Sequence, residues 1–123
     1  MSAIDLADMV CVVTSSEIAA LKATRECLRI TEKLHVVSHE RTLVALNRTT
    51  PKGLPDDKVS EFLDHRIEAT IPYDPQFRDS ADEGRPFVTT YRLRPARRAI
   101  VQFAERIAEC KVQKQDTQKR WVA

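Results

Sequence analysis

The sequence predicts an α/β domain, a partial parallel sheet of three strands with about four helices, layered α/β/α. Two observations lead there. Short apolar runs, of the kind buried in parallel sheets, alternate along the chain with segments of helical periodicity. The resulting order β-α-β-α-β-α-α requires right-handed crossovers between parallel strands, which put helices on both faces of the sheet.

The first strand is "MVCVVTS", a nearly continuous apolar run at residues 9–15. Thr14 and Glu17 then have capping-box spacing, and they open a helix on which Leu21, Thr24, Leu28 and Leu34 share an inward face. "TLVALN" is the second strand. It ends in "RTTPKGLP", where Pro51, Gly53 and Pro55 mark a loop. Asp56 and Asp57 start a short helix that turns Val59, Phe62 and Leu63 inward.

"IEATI" is the third strand, stopped by Pro72. Over "DPQFRDSADEG", Asp74 serves as N-cap, Pro75 takes the first helical position and Gly84 lies just past the end. "RPFVTTYRLRP" reads as an extended connector carrying Phe87, Val88, Tyr91 and Leu93. Pro95 begins the last helix, whose stripe is Ala96, Ala99, Ile100, Phe103, Ala104, Ile107 and Ala108. Residues 1–109 thus form one domain, and the basic tail 110–123 reads as a frayed or disordered end.

A chain of 123 residues suits one modest core and buries roughly two-thirds of its unfolded surface. With 42% hydrophobic and 31% charged residues it falls in the soluble globular range, not the disordered one. No apolar run approaches the roughly 20 residues that span a bilayer. The acidic start "MSAIDLADMVCVV" makes a poor secretory signal, so a cytoplasmic location is expected. Cys11, Cys27 and Cys110 are odd in number, far apart and set in apolar patterns, which predicts reduced, buried thiols. His35 and His39 are four apart, but their stretch runs from a helix end into a strand and HExxH is absent, so no metal site is expected.

Two of the predicted strands end in polar groups, Asn47 and Asp74. The carboxyl ends of parallel strands are where open α/β sheets bind ligands. An Asn amide both donates to and accepts from an adenine edge, so a purine nucleotide would suit this place. A phosphate cradle of the GxxxxGK[ST] type needs glycines, and the chain has two, Gly53 and Gly84, neither followed by Lys-Ser or Lys-Thr. Plainer roles stand beside these: Asn47 begins a turn, Asp74 caps a helix, and Arg48 is a solvated loop charge.

Taken in order, "ADMVCVVTSSEIAALKATRECLRI", "LVALNR", "ATIPYD", "ADEGRPFV" and "ARRAIVQFAERIAE" resemble the C-terminal half of a MinD/ParA-type deviant Walker A ATPase. Within that group the likeness is to the CpaE/TadZ pilus-assembly branch, and it covers about residues 3 to 109. The resemblance implies a P-loop NTPase-like fold that binds ATP with Mg²⁺, forms a homodimer and positions cellular machinery, such as pilus or secretion assemblies. It implies a base contact from Asn47 and backbone contacts from Pro72, Tyr73 and Asp74, with Arg48 at the edge of the site. It also implies that the phosphate loop belongs to an N-terminal half, so this chain by itself is expected to be inactive as an ATPase.

Charge supplies the rival reading. Residues 85–123 carry ten Lys or Arg against three Asp or Glu, net +7, whereas residues 1–84 are net −5. Arg92, Arg94, Arg97 and Arg98 are the densest cluster, a possible contact for nucleic acid or an acidic partner, or a solvated helix face. In the tail "KVQKQDTQKRWVA", Val112, Trp121 and Val122 form no helical stripe, which disfavours membrane binding. The sequence therefore leaves two functions: a base-binding half of an ATPase, or an interaction module acting through its basic end.

Overall fold

The computed structural model describes residues 7–34 and 39–121, with side chains described for 7–34 and 40–110. Strands β1 (Val10–Thr14), β2 (Thr42–Asn47) and β3 (Ala69–Ile71) form one parallel sheet in the order β1-β2-β3. Between and after them come α1 (Ile18–Lys33), α2 (Asp56–Leu63), α3 (Gln76–Asp82), α4 (Phe87–Thr90) and α5 (Pro95–Trp121), with a 3₁₀ turn at His39–Arg41. This is the expected α/β architecture with one more short helix. Among the described residues, no helix is long and apolar enough to cross a membrane.

Strand β2 carries the core. Successive side chains of a strand point to opposite faces, so Val44 and Leu46 go one way and Leu43 and Ala45 the other. Val44 and Leu46 meet Leu21 and Leu28 of α1 and Val59 and Leu63 of α2. Val12, Phe62 and Ile67 close the edges of that cluster. Burying each such aliphatic side chain is worth about 1.5–3 kcal/mol. Helix α5 packs against β3 and is tied there by an ion pair from Arg106 Nε to the Glu68 carboxylate at 3.5 Å. Cys11, paired in register with Leu43, lies near Cys110 of α5, so α5 runs across the Leu43 and Ala45 face.

Helix ends follow local chemistry. Gly84, at φ 65°, allows the chain to leave α3 through a 6→1 bond from Arg85 N–H to Ser80 O (2.9 Å) and a bond from Gly84 N–H to Ala81 O (3.2 Å). Asp64 takes the same left-handed position after α2, at φ 50°. At the start of α3 the Asp74 carboxylate accepts the Gln76 N–H at 2.9 Å, although the helix boundary falls one residue later, at Pro75.

Several sequence expectations need correction. Thr14 and Glu17 form no capping box: Thr14 ends β1 with its hydroxyl buried against that of Thr24 (2.9 Å), and Glu17 makes no side-chain cap bond. Leu34 lies beyond the end of α1 and is 65% exposed, so Thr31 completes the buried stripe. The connector at 85–95 contains a helical turn, α4. Thr89 and Thr90 hydroxyls donate to Pro86 O, and Phe87 stacks on Phe77 with centroids 3.9 Å apart, contacts that outweigh the β-branched composition. Ala104 and Ala108 of the α5 stripe are exposed. Helix α5 runs from Pro95 to Trp121, with no Gly or Pro after Pro95 to interrupt it. Cys11 and Cys27 are exposed and Cys110 is half-buried, because Cys11 lies on an edge strand and Cys27 on the outer side of α1.

The central position of β2 sets a stability test. Leu46→Ala, at a site with no exposure, is expected to cost about 2–5 kcal/mol. Leu93→Ala, at a side chain 96% exposed, should stay within about 0.5 kcal/mol of the parent. Urea unfolding of the two variants measures the difference.

Candidate functional site

Residue pairing builds the site. Asn47 is the last residue of β2 and pairs with Ile71, the last residue of β3, so the two strands end at the same level. Arg48 N–H donates to Ile71 O at 3.0 Å and locks that level. The chain leaving β3 at Pro72 therefore passes beside the chain leaving β2. A cavity of about 650 Å³ opens there, lined by Asn47, Arg48, Tyr73, Asp74, Phe77 and Arg78 among others.

Of the residues expected from sequence, Asn47, Arg48, Tyr73 and Asp74 come together in this cavity, and Pro72 stands outside its lining. Tyr73 is exposed and Asn47 half-buried, so both are available to a ligand. Asp74 is only 7% exposed. Besides capping α3 it faces Arg94 Nε at 3.7 Å, so its carboxylate is engaged within the protein.

Arg48 turns away from open solvent. Its guanidinium donates to Asp56 Oδ1 (2.5 Å) and to Leu54 O (2.8 Å). Asp56 also accepts from the Thr70 hydroxyl on β3 at 2.5 Å. Residues 49–55 are thereby strapped across the carboxyl end of β1. Gly53 is the point of closest approach, since a Cβ there would lie 2.6 Å from Ser16 Oγ and 3.2 Å from Arg48 Nη1. Partial burial alone would raise the pKa of Asp56. The hydrogen bonds from Thr70 and Arg48, with the Arg48 charge, outweigh it and hold the carboxyl below its ordinary value.

The basic cluster divides. Arg94 faces Asp74, and Arg97 Nε donates to Val88 O at 3.0 Å, so both serve the fold. Arg92 and Arg98 are exposed. Cys11 is no better poised for chemistry, because partial desolvation and the neighbouring Cys110 push its thiol up, away from the reactive thiolate. The described residues gather no group of three His, Cys, Asp or Glu that would hold a metal ion, and His35 lies outside them.

Phe77 and Arg78 were missed in the sequence, and their one signal was a place in the first turn of the helix after a strand end. Asp56 registered as a helix opener, and its pairing with Arg48 carried no local signature. A second cavity, about 550 Å³, lies between the C-terminal ends of α1 and α2, lined by Arg25, Thr42, Phe62 and His65 among others. It is at the amino end of β2, away from the edge where open parallel sheets bind ligands.

This open α/β sheet is similar in fold to solved structures of MinD/ParA ATPases, which have the P-loop NTPase-like architecture. The MinD cell division protein of Aquifex aeolicus superposes with a TM-score of 0.74 at 22% identity, over 87% of this chain and 46% of that one. A ParA family ATPase from Chlorobium tepidum gives 0.69 at 20% identity, over 82% and 42%. Septum site-determining MinD of Pyrococcus horikoshii, solved with Mg-ADP, gives 0.66 at 24% identity, over 79% and 40%. The chain thus spans less than half the length of the proteins it matches. No protein-family model matches the sequence, and no curated protein is significantly similar to it.

The Asp56 knot makes a pH prediction. Asp56 holds its proton less tightly folded than unfolded, so its contribution is whole above the unfolded value near 3.8 and is lost as pH falls through the lower folded value. Wild type should be more stable than Asp56→Asn at pH 6, with the gap narrowing below about pH 4. Urea midpoints of both proteins across this range measure it, and a gap independent of pH would count against the knot.

Proposed function

We propose that this chain is the base-binding, C-terminal half of a MinD/ParA-like ATPase domain, nearest in kind to the CpaE/TadZ pilus-assembly branch. The observation that carries this is the meeting of Asn47 with Tyr73 and Asp74 in one cavity at the carboxyl edge of a parallel sheet. The Asn47 amide would donate to and accept from the adenine edge, and the turn after β3 would supply backbone groups to the base. The residues present fit the base. The phosphates and Mg²⁺ would be held by a phosphate loop on the N-terminal half, and no residue of this chain is assigned to the metal. The domain as a whole would position cellular machinery, and this chain by itself would hydrolyse no ATP.

The β1 edge indicates where the N-terminal half, or a second copy, would join. β1 is an outer strand of the sheet, and its Val13 is 61% exposed beside exposed Cys11. An open strand edge with apolar side chains calls for cover. The rival reading, an interaction module working through the basic end, has less support, since Arg94 and Arg97 are engaged inside the fold.

Adenosine tests the base site without requiring a phosphate loop. In ¹H–¹⁵N spectra of the chain it should shift amides at Asn47 and along 73–78, with weak affinity because the phosphates are absent. Asn47→Ala should weaken the response about three-fold or more, the loss of one or two hydrogen bonds. An unchanged titration would remove Asn47 from the site.

Sedimentation tests the edge. The isolated chain is expected to self-associate, and Val13→Lys should shift it toward monomer, because a charge on an edge strand opposes further pairing. A wild-type chain that stays monomeric with a sharp cooperative melt would argue for a self-sufficient domain.

A further inference from the structure

We propose that Asp56 is a positioning residue that makes the cavity selective for adenine, by holding the Arg48 guanidinium away from the base. The inference rests on the reading of that cavity as a purine site. Arg48 follows Asn47 directly and lines the same cavity, so a guanidinium stands one residue from the amide that would read the base. Left unengaged, it would change what the cavity recognises. Guanine presents O6 and N7 as two acceptors that a guanidinium meets bidentately, whereas adenine presents an amino donor and N7, a pattern suited to an Asn amide.

The structure ties the Arg48 guanidinium back through its Nη2. Nη2 is engaged by Asp56 Oδ1 at 2.5 Å and by Leu54 O at 2.8 Å. Nη1 lies beside Gly53, 3.2 Å from where a Cβ on that residue would stand. Asp56 is anchored in turn by the Thr70 hydroxyl on β3, so the carboxylate is fixed to the sheet and not only to its own loop. The Arg48 side chain is 19% exposed, consistent with a group tied back under the strap. Arg78, the other arginine lining the cavity, is exposed on α3 and belongs to a different element.

The test titrates the chain with adenosine and with guanosine, followed by ¹H–¹⁵N spectra, for wild type, Asp56→Asn and the double variant Arg48→Ala/Asp56→Asn. Wild type should favour adenosine. Asp56→Asn, which removes the charge that retains the guanidinium, should raise the guanosine-to-adenosine affinity ratio about five-fold or more. The double variant should lose that gain. Arg78 is present in all three, so its effect cancels in the comparison. A strap that is merely loosened would weaken both nucleosides and leave their ratio unchanged. An unchanged ratio overturns the proposal while the base site stands, whereas no response to either nucleoside in wild type overturns both. If Asp56→Asn lacks a dispersed spectrum, Thr70→Val replaces it. By removing the anchor of Asp56 it should move the ratio the same way by a smaller factor, and no movement there overturns the proposal.

Discussion

The burial of β2 on both faces is the constraint on which the rest of this molecule depends. Residues Thr42 to Leu46 are all buried, because α1 and α2 cover one side of the strand and α5 crosses the other. Polar side chains are costly in such a strand unless bonded, so polarity is confined to its ends, at Thr42 and Asn47. The place where Asn47 emerges is therefore fixed by where burial stops. Parallel pairing of Asn47 with Ile71 then brings the turn after β3 to the same height. One register sets both walls of the cavity, and a slip of one residue would swap the side chains of β2 between its two faces, taking Leu46 out of the α1–α2 cluster and Asn47 out of level with Ile71.

Two ion pairs hold the loops that this register brings together, and they act in different surroundings. Asp74 is nearly buried and is compensated by the Gln76 N–H and by Arg94, as a carboxylate removed from water must be. The Arg48–Asp56 pair is more open, yet it joins β2, the strap and β3 through several hydrogen bonds. Isolated surface pairs such as Arg29–Glu26 at 3.8 Å and Lys58–Glu61 at 3.3 Å contribute far less, because water and salt screen them. Arginines that read in the sequence as a uniform positive patch thus divide into structural and free members.

What could be read in the sequence was local. β2 stood out by its unbroken apolar run, α2 by its paired aspartates and the end of α3 by Gly84, since each depends on neighbours a few residues away. Contacts between distant segments left no such trace. The stacking of Phe77 on Phe87 that organises α4 joins residues ten positions apart, and Arg48 meets Thr70 only through Asp56. The supposed capping box failed for the same reason: Thr24, ten residues on, claimed the Thr14 hydroxyl. Asn47 and Asp74 were visible as the polar ends of apolar runs, but the cavity that makes them neighbours is a product of sheet register.

An edge left open at β1 and a base site without phosphate contacts are linked on the proposed function. Nucleotide affinity draws heavily on amides at a helix N-terminus and on a phosphate loop, and the base contributes a few hydrogen bonds that favour one purine over another. A chain holding the base contacts alone would select well and bind weakly. If the phosphate contacts lie on the segment that covers β1, each half holds nucleotide only weakly until the two are joined. Nucleotide that binds the joined state more tightly then stabilises it by mass action, rising with the logarithm of ligand concentration. By the same linkage, a change at the Val13 edge would alter nucleotide affinity with no ligand contact touched, and a change at Asn47 would alter assembly with no interface contact touched.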